Sequence, residues 1–206
     1  MLEQALAHTG LIAILRGLKP SEAAAIGEVL YGAGFRVIEV PLNSPDPLQS
    51  IRILRDSLPA DCLVGAGTVL KPAQVQQVKA AGGQVIVMPH SDPQVLRAAK
   101  AAGLFLAPGV ATPNEAFAAL AEGADILKLF PAEQMGTAVV KAWLAVLPAG
   151  TLLAPVGGIT PDNMQPFYDA GARGFGLGSG LYKPGMTPEQ VAAAAQAYVT
   201  AWKALR

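Results

Sequence analysis

A single cysteine in 206 residues excludes an intrachain disulfide, and the lone Cys62 suits a reducing cytoplasm. Histidine is nearly as scarce: His8 and His90 have no companion ligands at metal-binding spacing, so no metal site is expected. Charge is sparse, at 15% of residues, and fifteen basic side chains balance fifteen acidic ones. That balance leaves no basic face for nucleic acid and no basic amphipathic tail for a membrane. No apolar run approaches bilayer length without Gly, Pro or charge. The stretch from Met1 to Gly10 lacks the basic and apolar regions of a signal peptide. These exclusions leave the expectation of a soluble cytoplasmic protein.

What the chain has in quantity is apolar residues, 52% of the total, enough for a substantial core. They recur in a repeating unit: an apolar strand, a turn, an Ala-rich amphipathic helix, then a glycine. A short helix over Leu2 to His8 is expected ahead of the first unit. The pattern predicts strands at Leu11–Arg16, Arg36–Leu42, Cys62–Val69, Gln84–Pro89, Leu104–Val110, Ile126–Pro131, Leu152–Gly157 and Phe175–Leu181. Their spacing of roughly 20 to 27 residues is that of βα units. Helix starts carry Pro in the first turn beside an acidic or capping residue, as in Pro20-Ser21-Glu22 and Thr112-Pro113-Asn114-Glu115. Helix ends carry glycine, as in Ala33-Gly34 and Ala102-Gly103. Eight such units predict one (β/α)8 barrel domain over residues 1–206. An open doubly wound sheet usually has five or six strands and a Gly-rich first turn, which Arg16-Gly17-Leu18-Lys19-Pro20 lacks.

In such a barrel, chemistry belongs to the C-terminal ends of the strands. Three expected strands carry a charge there: Arg16, Glu39 and Lys128. An unpaired buried charge costs several kcal/mol, so the three should meet one another or a ligand. A structural ion-pair network would satisfy them. So would Schiff-base chemistry, with Lys128 as a desolvated nucleophile, Glu39 as proton shuttle and Arg16 as anion clamp. Strand three ends in Gly65-Ala66-Gly67-Thr68, which admits a close substrate and offers a hydroxyl. Strand seven ends in Gly157-Gly158, and strand eight contains Gly176-Leu177-Gly178-Ser179-Gly180. Loops after strands seven and eight are the usual phosphate site of these barrels, so Gly157, Gly158, Gly178 and Ser179 are candidate phosphate ligands. Pro89 and Phe130 are candidates for an apolar wall beside the amine. The role of His90, at a strand end, stays open.

In combination, Ile14-Leu15-Arg16-Gly17, Ile38-Glu39-Val40-Pro41-Leu42, Gly65-Ala66-Gly67-Thr68-Val69-Leu70, Leu127-Lys128-Leu129-Phe130-Pro131-Ala132, Gly157-Gly158-Ile159 and Gly178-Ser179 resemble the 2-keto-3-deoxy-6-phosphogluconate/phosphogalactonate aldolases. The resemblance runs from about Leu11 to Tyr182. It implies a class I lyase with Lys128 as the Schiff-base lysine and Glu39 as the acid/base. It assigns Arg16 and Thr68 to the carboxylate end and inner hydroxyls, and Gly157, Gly158 and Ser179 to the phosphate. It further implies a homotrimer, no cofactor and no metal. Asn43 and Ser44 stand where the gluconate branch typically has arginine and threonine, and Pro41-Leu42-Asn43-Ser44-Pro45 resembles the phosphogalactonate branch. The expected reaction is cleavage of 2-dehydro-3-deoxy-6-phosphogalactonate to pyruvate and D-glyceraldehyde 3-phosphate. The gluconate epimer, or both epimers, is the alternative substrate. A sugar-phosphate isomerase or epimerase on the same barrel is the more distant alternative.

Overall fold

Alternation along the strands sorts the apolar residues into two cores. Ile12, Val37, Leu63, Val85, Ala107, Ile126 and Ala154 pack against one another in the interior. Their chain neighbours Leu11, Ile38, Val64, Ile86, Leu106, Leu127 and Leu153 belong to the larger core beneath the helices. Strands covered on both faces read as nearly continuous apolar runs, which is why the sequence announced them so clearly.

The computed structural model describes residues 5–6 and 8–205. The chain alternates β1 (Leu11–Ile14), α1 (Pro20–Ala33), β2 (Val37–Pro41), α2 (Pro47–Ser57), β3 (Leu63–Gly67), α3 (Pro72–Ala80), β4 (Val85–Val87) and α4 (Pro93–Ala101). It continues through β5 (Phe105–Ala107), β6 (Gly109–Val110), α5 (Pro113–Ala121), β7 (Leu127–Leu129), α6 (Ala132–Leu144), β8 (Leu153–Pro155), α7 (Met164–Asp169), β9 (Phe175–Leu177) and α8 (Pro188–Ala204). Of the helix expected over Leu2 to His8, only Ala5, Leu6 and His8 are described, all helical, and the rest lies outside the described residues.

The strand pairings are parallel throughout the two sheets. One sheet has six strands in the order β5-β4-β3-β2-β1-β9, and the other has three in the order β6-β7-β8. The fold is α/β with parallel sheets. The expected fifth strand is divided at Pro108, which has no N–H for the ladder. Beyond it the run changes partner, with β5 on β4 and β6 on β7. At the other seam a parallel bridge joins Val156 to Gly176.

Proline fixes the entry to α1, α2, α3, α4, α5 and α8, each of which has it in the first turn. Pro161 opens a short 3₁₀ turn ahead of α7 instead. α1 ends on Gly34 at φ 118°, whose N–H reaches the carbonyls of Leu30 and Tyr31. The strands stop one to four residues short of several expected ends. Arg16, Thr68, Pro89, Phe130, Gly157, Gly158, Gly178 and Ser179 therefore stand just past the strands, on the loops of one rim.

Candidate active site

Lys128 is the middle residue of β7, between Gly109 of β6 and Ala154 of β8 in register. Its neighbours Leu127 and Leu129 are fully buried in the helix-side core, so alternation sends Lys128 inward. It is 8% exposed, and its Nζ lies 4.8 Å from the centroid of the Phe130 ring. Burial lowers the Lys128 pKa; Glu39 opposes that shift and Arg16 adds to it. The amine is thereby biased toward its nucleophilic neutral form.

Glu39 sits on β2, paired in register with Ile14 and Gly65. It is 2% exposed, and among the described residues its Oε2 has no hydrogen-bond partner. The carboxylate lies over Gly67, where an added Cβ would collide with it, so any larger residue would have to displace the acid or the strand. Burial pushes the Glu39 pKa up to about 7, against the pull of Lys128 and Arg16. A carboxyl poised there can both take and return a proton near neutrality.

Arg16 differs from the expectation of a buried strand charge. β1 ends at Ile14, and Arg16 is exposed on the loop beyond it. Its Nη1 donates to Asn43 Oδ1 at 2.6 Å, and the next residue, Gly17, donates its N–H to Ser44 Oγ at 2.9 Å. Two hydrogen bonds thus tie the loop after β1 to the loop after β2. Thr68 has φ 53°, in the left-handed region that costs a β-branched residue on the order of 1–3 kcal/mol.

These groups converge on a cavity of about 610 Å³. Arg16, Asn43, Thr68, Pro89, Lys128, Phe130, Gly157, Gly158, Gly178 and Ser179 all line it. Glu39 does not line it; it is buried on β2, close enough to Lys128 and Arg16 for their charges to act on it. Gly157 and Gly158 take φ 106° and 67°, which open backbone on that wall to a ligand. Sequence reasoning missed Thr160, Gly180, Tyr182 and Lys183, which also line the cavity. Lys183 had a legible signal, as a cation in the loop following the last strand. His90 faces a separate open depression with Asp92 and Arg97 rather than this cavity. Among the described residues no group of His, Cys, Asp and Glu is arranged to hold a metal ion, and no helix is long and apolar enough to cross a membrane.

The sequence pattern of the KDPG and KHG aldolases matches residues 2–196. The chain belongs to this aldolase family. It is 48% identical over 195 residues to the probable 2-dehydro-3-deoxy-6-phosphogalactonate aldolase of Rhizobium meliloti strain 1021, covering 95% of this chain and 92% of that protein. It is 46% identical over 193 residues to the 2-dehydro-3-deoxy-6-phosphogalactonate aldolase of Escherichia coli K12, covering 94% of each. A solved structure described as native KDPGal superposes with a TM-score of 0.93 at 46% identity, covering 95% of each chain. As an aldolase of this family the protein is a carbon–carbon lyase, which requires a cavity where a carbonyl is activated and a proton moved.

Proposed function

We propose that this protein cleaves 2-dehydro-3-deoxy-6-phosphogalactonate to pyruvate and D-glyceraldehyde 3-phosphate through a Schiff base on Lys128. The observation that carries the reading is a desolvated amine lining the cavity, Lys128, within electrostatic reach of a buried carboxyl pushed up to about pKa 7, Glu39. The choice of substrate is supported by the two relatives near half identity, which are named for the galactonate epimer.

Neutral Lys128 attacks the C2 ketone to give a carbinolamine. Glu39, acting through a water, moves the protons that expel hydroxide as water and leave the iminium. The iminium withdraws the C3–C4 bonding electrons as Glu39 takes the C4 hydroxyl proton, releasing the aldehyde. Protonation of the enamine at C3 and hydrolysis then free pyruvate and Lys128. Arg16, steadied by Asn43, holds the carboxylate together with Thr68, while Gly157, Gly158, Gly178 and Ser179 receive the phosphate. Pro89 and Phe130 keep the reacting end dry, and no metal or organic cofactor is assigned a part.

The same reading takes the two sheets as one (β/α)8 barrel, closed at the Pro108 break and the Val156–Gly176 bridge, and assigns the enzyme to the cytoplasm as a homotrimer. Assaying both phosphorylated epimers side by side, with pyruvate release as readout, tests the substrate. Preference for the galactonate epimer supports the proposal, whereas preference for the gluconate epimer overturns the argument from Asn43.

A further inference from the structure

We infer that Lys183 supplies the counter-charge for the substrate's phosphate and so sets the preference for phosphorylated over free sugar acids. The inference rests on the reading that the phosphate sits over Gly157, Gly158 and Ser179.

A phosphate monoester near neutrality carries between one and two negative charges, and a wall of glycine backbone offers it only neutral N–H donors. The neighbourhood holds a charge of the wrong sign as well. The Glu133 carboxylate lies so close to Gly158 that a Cβ there would stand 2.6 Å from Glu133 Oε2. A cation is needed on this side of the cavity. Of the three cationic residues that line it, Lys128 stands at the reacting end and Arg16, tied to Asn43, is assigned to the carboxylate. Lys183 is the third, and among the described residues its ammonium has no ion-pair partner.

The segment that carries Lys183 is fixed on both sides. The N–H groups of Leu181 and Tyr182 return to the Gly178 carbonyl at 2.9 and 3.0 Å, which ties the segment to the phosphate glycines. The Tyr182 hydroxyl donates to Glu22 Oε2 at 3.2 Å. Pro184 packs so tightly on Gly17 that a Cβ there would meet Pro184 Cγ at 2.6 Å. The Lys183 N–H meets Met186 Sδ at 3.1 Å, closing the turn beyond it. An exposed lysine is thus mounted on a backbone anchored beside the cup. A point charge so placed acts on capture of the anion, and its effect weakens with salt.

The test compares wild type, Lys183→Met, Lys183→Arg and Ser179→Ala on the phosphorylated substrate and its dephosphorylated analogue. Lys183→Met should lower the ratio of the two kcat/KM values by about five- to tenfold, through KM for the phosphorylated substrate. Lys183→Arg should restore most of the ratio, and the difference between wild type and Lys183→Met should shrink in high salt. If Ser179→Ala lowers the ratio and Lys183→Met does not, the glycine cup stands and this inference falls. If neither variant changes the ratio, the cup itself is misplaced and the inference falls with it. Equal losses on both substrates would make Lys183 a structural residue and overturn its role.

Discussion

The Arg16 guanidinium is held by the Asn43 carboxamide at 2.6 Å, across 27 residues of sequence and between two adjacent loops. Without that bond an exposed arginine on a loop would sample many rotamers, and its ordering would be charged against substrate binding. Asn43→Ala should therefore weaken pyruvate binding about three- to tenfold, roughly the net worth of one ordinary hydrogen bond. Arg16→Ala should weaken it further. Competitive inhibition by pyruvate measures both, and an Asn43→Ala variant that binds pyruvate as wild type does would leave Arg16 without a positioning partner.

Glu39 should govern the rate near neutrality. Glu39→Gln keeps the shape but removes the exchangeable proton, and the expected loss is about two to four orders of magnitude in kcat. The wild-type profile should change across a pH near 7, where the Glu39 carboxyl titrates, and Glu39→Gln should lose that limb. A near-normal rate in Glu39→Gln would remove the residue from proton transfer.

The same substitution should act on stability in the opposite direction. The folded-state pKa of Glu39 is raised from 4.5 to about 7 by burial. Its contribution to stability is therefore fully present below about pH 4.5 and is lost as pH rises through about 7, with a total on the order of 3 kcal/mol. Glu39→Gln lacks this dependence. Its Tm relative to wild type should be higher at pH 8 than at pH 5, as measured by thermal denaturation at both values. A Tm difference independent of pH would contradict the buried-carboxyl account.

Gly67 gives a steric test of the same carboxylate. An alanine methyl there would collide with the Glu39 carboxyl group, so Gly67→Ala must displace the acid or the strand. A stability loss of about 1–3 kcal/mol is expected, together with a fall in kcat of more than about tenfold. Retention of full activity would show that the acid's placement is not what the reaction needs.

Much of this architecture was legible because Pro and Gly act on local backbone geometry. Pro20, Pro72, Pro93, Pro113 and Pro188 each open a helix, and Gly34 closes one in the left-handed conformation. A lone lysine in an apolar strand is usually a packing detail, and Lys128 and Glu39 stood out because they enter one rim together with Arg16 and the glycine-rich strand ends. What local pattern did not reveal was where ladder hydrogen bonding ends. Arg16 reads as part of a strand in sequence, yet β1 stops at Ile14 and leaves the side chain exposed. Pro108 lies within an apolar run, and only the change of partner from β4 to β7 shows its effect. The Glu39 carboxylate packs over Gly67 of another strand, a relationship that no single segment encodes.

The central claim is that Lys128 is the nucleophile, and reductive trapping tests it most directly. The enzyme is treated with pyruvate and borohydride, digested, and the modified residue located by mass spectrometry. The account predicts a pyruvate-derived secondary amine on Lys128 in wild type and no adduct in Lys128→Met, which should also be inactive. An unmodified Lys128 under turnover conditions, or full activity in Lys128→Met, would contradict it.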